Sequence, residues 1–177
     1  MRWSRSGTVG AVCSALALLG ACAPVHDWRD VRAANGMLRA QLPCKPATQV
    51  RKVSLAGQPV SLSLHACSAG GQTWALAWTD VQNPLQVGPA LRELRATAVA
   101  NVGAATTVSL PLQVPGATPH SDSVRLGLQG QRPDGRPVRE QVAMFVFGTV
   151  VAQATVLGEE LPEDAVETFF AALRAGP

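Results

Sequence analysis

Apolar and polar residues alternate over much of this chain. Val60, Leu62, Leu64 and Ala66 stand against Ser61, Ser63 and His65, and Trp74, Leu76 and Trp78 stand against Ala75 and Ala77. A period of two is that of a half-buried strand. It predicts strands over 50–55, 60–66 and 73–80, turning at Ala56-Gly57-Gln58 and Ala69-Gly70-Gly71-Gln72, with one face of the first hairpin buried. The period then lengthens: Leu91, Leu94, Ala98 and Val102 recur at helical spacing, with Pro89 suiting a first turn and Gly103 an exit, so a helix is expected over 89–102. Residues 106–114 read as extended and 115–119 as a loop. Pro133-Asp134-Gly135 should then turn a hairpin between strands at 124–130 and 138–147. A strand over 149–157 and a helix over 162–174 close the pattern. Val166, Phe169, Phe170 and Leu173 form that helix's apolar stripe, and Glu163 and Asp164 favour its N-terminus. Strands, a helix, more strands and a closing helix describe an α+β fold, an antiparallel β-sheet flanked by helices.

The first residues follow a different rule. A basic start with Arg2 and Arg5, an apolar run over 7–20 and the small residues Ala21-Cys22-Ala23 make up a secretory leader. The run is shorter than the roughly 20 residues of a membrane-spanning helix. Leu18-Leu19-Gly20-Ala21-Cys22 resembles the lipobox of bacterial lipoproteins, which implies that Cys22 becomes an acylated N-terminus, anchored through its lipid chains. Cleavage after Ala23 is the competing reading, and Pro24, a poor residue after a scissile bond, argues against it. Ala23, where inner-membrane retention favours Asp, implies the outer membrane. The expected organisation is a signal peptide over 1–21, a lipidated N-terminus and tether over 22–40 and a single domain over 41–177.

Removal of the leader changes the charge and cysteine arithmetic. Of 15 basic residues, Arg2 and Arg5 leave, so 13 face 12 acidic ones. Such balance gives nucleic acid no electrostatic footprint. Cys13 leaves with the leader and Cys22 would carry lipid, so Cys44 and Cys67 remain. In an oxidising compartment they read most simply as a disulfide. Adding His65, two residues before Cys67, would make a Cys/Cys/His metal site, but a fourth ligand and any C-x-x-C spacing are missing.

The phrases Asp27-Trp28-Arg29, Leu42-Pro43-Cys44-Lys45-Pro46, Val114-Pro115-Gly116-Ala117-Thr118-Pro119, Pro133-Asp134-Gly135-Arg136 and Thr168-Phe169-Phe170 resemble those of a group of uncharacterised exported lipoproteins from beta-proteobacteria. The order of elements is similar to the PsbP-like α/β/α sandwich. That likeness implies a fold and no transferable catalytic residue.

Catalytic patterns are sparse. His120-Ser121-Asp122 brings the residue types of a hydrolase triad together, but neighbours on an extended chain point apart, and no G-x-S-x-G elbow exists. No glycine spacing suits a nucleotide or other cofactor. Glu159-Glu160 and Glu163-Asp164 are explained by solvent and the helix dipole. Trp74, Trp78, Phe145, Phe147, Phe169 and Phe170 could line an apolar cleft, although their spacing is that of a core. The expected function is a noncatalytic envelope lipoprotein whose domain binds a small ligand or an envelope protein, with 114–120 the loop to inspect first. The alternative is an enzyme with a site near His65, Asp80 or His120, and convergence of two of these in one cleft would favour it.

Overall fold

In the computed structural model, residues 25–132 and 134–177 are described. The leader, Cys22 and Pro133 of the expected turn lie outside them. The architecture is α+β, with two antiparallel sheets and two α-helices among the described residues. No helix there is long and apolar enough to cross a membrane.

The large sheet has seven strands: β3 (Ala47–Leu55), β4 (Gln58–Ala69), β5 (Gln72–Asp80), β6 (Thr106–Leu110), β7 (Val124–Gln131), β8 (Pro137–Phe147) and β9 (Val150–Gly158). Their spatial order is β3-β4-β5-β9-β8-β7-β6. The hairpin turns fall where the sequence allows a left-handed backbone. Ala56 and Gly57 (φ 51 and 71) join β3 to β4, and Gly70 and Gly71 (φ 63 and 85) join β4 to β5. Two consecutive positive φ angles match the right-handed twist of a tight hairpin. The β7–β8 hairpin is present as expected, with Gly135 N–H donating to the Arg132 carbonyl.

A helix, α1 (Pro84–Asn101), lies over β8 and β9 on one face of this sheet. It starts five residues earlier than the spacing predicts, because Asn83 caps it: the Asn83 side chain accepts from Leu85 N–H, and Pro84 takes the first turn. Pro89 is therefore inside the helix, where the bond to the Leu85 carbonyl cannot form. Val87, Ala90, Leu91 and Ala98 pack onto Leu126, Leu128, Val142, Met144, Val146 and Val151.

The opposite face carries a second layer. The segment expected to be a tether folds from Arg29 onward into β1 (Arg29–Ala33) and β2 (Leu38–Leu42), joined at a left-handed Asn35-Gly36 turn. Its inner face, Val31 and Ala33 with Leu38, Ala40 and Leu42, has the alternation of a strand pair and buries itself against the large sheet. The closing helix, α2 (Glu163–Ala171), ends earlier than predicted, and β10 (Arg174–Ala175) pairs with β2. Trp74, Leu76, Phe145, Phe169, Phe170 and Leu173 join this core.

Two further differences concern the first hairpin and the 106–114 segment. Leu62, Leu64 and Ala66 are only half-buried, since α1 covers the middle of the sheet and stops short of β4. Their opposite neighbours, Ser63 and His65, lie instead on the face that carries the small sheet. The extended segment ends at Leu110, and the chain then crosses to that same layer. There the Pro115 carbonyl accepts from Ala175 N–H at 2.9 Å. Gly116 is required by this approach: a Cβ would stand 1.9 Å from the Ala175 carbonyl oxygen, at a φ of +81°.

Cys44 and Cys67 are joined in a disulfide with a Cα–Cα distance of 6.0 Å. Cys44 follows β2 and Cys67 lies on β4, so the bond ties the small sheet to the large one. A loop with a sequence separation of 23 closed in this way contributes about 3 kcal/mol through the unfolded chain. Replacing both cysteines by Ala, or reducing the bond, should lower the thermal midpoint by roughly 6–12 °C, measured by circular dichroism with and without reductant.

Candidate functional site

Arg125, on β7, is the most deeply embedded cation. Its side chain is 7% exposed, yet its charge is fully engaged. Nη1 and Nη2 donate to the two carboxylate oxygens of Glu167 on α2, and Nη2 also donates to Gln141 Oε1 across the strand pair. The guanidinium lies 4.0 Å over the Phe170 ring. This is a planar group matched to a bidentate partner and an aromatic face, a combination that suits Arg and not Lys. Only Nε is left without a partner. Beside it opens a cavity of about 260 Å³ between α2 and the 111–114 segment, walled by Leu112, Val114, Phe170 and Leu173. With Glu167 in place, the cavity has a mixed lining, Gln113 and Glu167 beside the apolar side chains, and no unpaired guanidinium charge.

The residues named from sequence as possible catalytic groups do different things. His65 Nδ1 is 2.9 Å from Thr48 Oγ1 on β3, and its ring packs on Trp78 at 4.8 Å between centroids. The sulfurs of Cys44 and Cys67 are bonded to each other, and among the described residues no group of three potential ligands comes together. Asp80 ends β5 and accepts from Gln82 N–H, where Gln82 has a φ of 59°. It lines two open, polar clefts: one of about 540 Å³ with Arg32, Asn35, Ser63 and Trp78, and one of about 720 Å³ with Ser61, Gln82 and Gln86. Neither is lined by His120.

His120 and Asp122 belong to a local turn. His120 Nδ1 accepts from Asp122 N–H at 3.1 Å, and Asp122 Oδ2 accepts from Arg92 Nη1 on α1 at 2.6 Å. His120 Nδ1, the nitrogen that would receive an orienting carboxylate, is thus turned to the backbone, and the exposed Ser121 hydroxyl joins neither bond. The cavity beside His120, about 330 Å³, is lined by Leu112, Val114, Thr118 and Phe145. The 111–123 segment therefore walls two cavities.

Glu140 was not singled out by sequence. It sits on β8 between Leu128 and Leu157, on the face that α1 covers, and is almost fully buried. Burial pushes its carboxyl up to about 7 from an ordinary 4.5, by disfavouring the charged form. The only hint in the sequence is a charged residue in register with Val138, Val142 and Met144.

Comparison with known proteins adds little. No family model and no curated protein matches the chain. Among solved structures, the crystal structure of PA94 from Pseudomonas aeruginosa, a protein of unknown function, is similar at a TM-score of 0.30 and 12% identity, covering 79% of this chain and 87% of that one.

Two stability tests follow from these geometries. In the Arg125 pair, Glu167 is 56% exposed and can rehydrate, whereas Arg125 cannot. Glu167→Ala should therefore cost about 1–2 kcal/mol by stranding a buried cation, more than Arg125→Met, which removes the charge and keeps the packing. Urea denaturation of both variants measures the order. For Glu140, the folded value lies above the unfolded one, so the folded state binds more protons between pH 4.5 and about 7. Its contribution to stability is complete below pH 4.5, declines as pH rises and levels off above 7. Glu140→Gln should leave stability near pH 4.5 unchanged and raise it at pH 8 by about 2–3 kcal/mol, seen in thermal melts across that range.

Proposed function

We propose that the chain is a noncatalytic cell-envelope lipoprotein, exported by its leader, acylated at Cys22 and held to the outer membrane, whose α+β domain is a small binding or assembly module. The Cys44–Cys67 disulfide is the observation that supports this reading best. Bonded cysteine pairs persist in oxidising compartments and are rare in the cytosol, which agrees with a leader ending in Leu18-Leu19-Gly20-Ala21-Cys22. Chain that packs on the domain from His26 onward leaves a short connection to the residue proposed to be acylated.

The module half of the proposal rests on where the polar groups are spent. His65, Asp80 and His120 each serve a local contact, and the clefts that Asp80 and His120 line are different ones. The 111–123 segment, with a cavity of mixed polar and apolar lining on either side of Leu112 and Val114, is the surface best formed for a partner or a small ligand.

Acylation is decided by fractionation and mass. The protein should be recovered with membranes, and its N-terminal peptide should begin at Cys22 and carry the mass of its acyl chains. Cys22→Ala should abolish the acyl mass and block processing at that site. A membrane-free polypeptide that still begins at Met1 would refute the proposal.

A further inference from the structure

The outer face of the small sheet carries a row of three arginines. Arg32 on β1 pairs in register with Arg39 on β2, and Arg39 pairs with Arg174 on β10, so three guanidinium groups stand side by side across three strands. All three residues are exposed. Alternation puts them opposite the buried Ala33, Leu38 and Ala40, pointing away from the core. Beside them lies a broad cleft of about 690 Å³ whose other wall is the end of α2, with Thr168, Ala171 and Ala172.

This charge is offset only in part, three arginines facing one carboxylate. Among the described residues, neither Arg32 nor Arg39 forms an ion pair or a side-chain hydrogen bond, and Arg174 donates only to the Ala171 and Leu173 carbonyls. The one carboxylate on the face, Asp30, accepts from Gln41, and Glu167 on the neighbouring helix is taken by Arg125. Like charges directly opposite each other on adjacent strands repel, so the row costs the isolated fold stability that an anionic partner would restore. Guanidinium groups are suited by their planar fork to phosphate oxygens.

We infer that this face docks on the anionic phospholipid headgroups of the membrane that holds the protein. The inference rests on the anchor proposed at Cys22. Residues 25–28 already pack on the domain, with Val25 beside Gly70 and Asp27 N–H donating to the Pro43 carbonyl, so three residues, at most roughly 11 Å of extended chain, separate Cys22 from it, and the anchor holds the small sheet near the bilayer surface. The lipid chains supply attachment and the arginines supply orientation: the small sheet faces the headgroups, and the far side of the large sheet, with α1, faces away.

The mature acylated protein, reconstituted into phosphatidylcholine vesicles containing a dansyl-headgroup lipid, tests this directly. Trp28, Trp74 and Trp78 all pack in the layer beneath the small sheet and serve as energy donors. Transfer to dansyl should rise when phosphatidylglycerol is included and fall when salt screens the charges. Arg32→Ala with Arg39→Ala should shift the docking equilibrium by roughly 25-fold, about fivefold for each arginine. Transfer that ignores phosphatidylglycerol, or a double variant that docks like the parent, overturns the inference, including the case in which the face serves an acidic protein instead. Failure of the anchor itself is read separately, from the N-terminal mass. If no acyl chain is found, flotation of the unmodified chain with the same vesicles at low salt must depend on phosphatidylglycerol and on the two arginines, and chain that does not float overturns the inference.

Discussion

One side of the sheet is organised around a single indole. Trp74 on β5 is wholly buried, and it meets Trp28 from the segment before β1 and Phe169 from α2 in edge-to-face contacts, at 6.0 and 5.6 Å between centroids. Its N–H donates to the Ala69 carbonyl, so the ring is buried without a stranded donor. In the strand register it stands opposite Cys67, whose disulfide leads to the end of β2. The start of the domain, its last helix and its covalent crosslink therefore converge on one residue. Without that aromatic floor the three short strands of the small sheet would have nothing to bury against, because a strand pair of this length is not stable alone.

The same arrangement explains what could be read from sequence. The period-two runs in β4 and β5 and the glycine-bearing turns were legible because they are local, although both faces of β4 are only half-buried. The disulfide was legible by subtraction, once Cys13 was given to the leader and Cys22 to the lipid. The small sheet was hidden for the opposite reason. β1 and β2 are five residues each, their apolar members include two alanines, and their pairing with β10 joins the two ends of the domain. A short weak alternation next to a leader reads as linker until its partner surface is known. The start of α1 was misplaced because Pro84 and Pro89 both offer a first turn, and only the Asn83 cap decides between them.

The candidate chemistry shows a similar division. Sequence could say that His120, Ser121 and Asp122 are too close together to cooperate, and the turn that His120 and Asp122 form is the physical form of that objection. It could not say that Glu140 is buried, since a lone acid in a strand is read as solvent-facing unless the helix laid over it is known. The two faces of the sheet differ in this respect. The aromatic side carries the disulfide and a neutralised arginine, whereas the α1 side closes over a carboxylate kept out of its usual range by burial alone.

The arginines show how burial sorts charge into two kinds. Arg125 entered the core with every strong electrostatic partner supplied: a bidentate carboxylate, an amide oxygen and an aromatic face. A cation desolvated to that degree without them would cost several kcal/mol, so its surroundings belong to the fold and leave little charge to offer a ligand. Arg32 and Arg39 met no such demand. They sit on a thin sheet whose inner side does all the packing, and water compensates them at present. Because an anion can replace that water, the arginines of the small sheet keep a charge that a ligand can use, where the most buried cation does not.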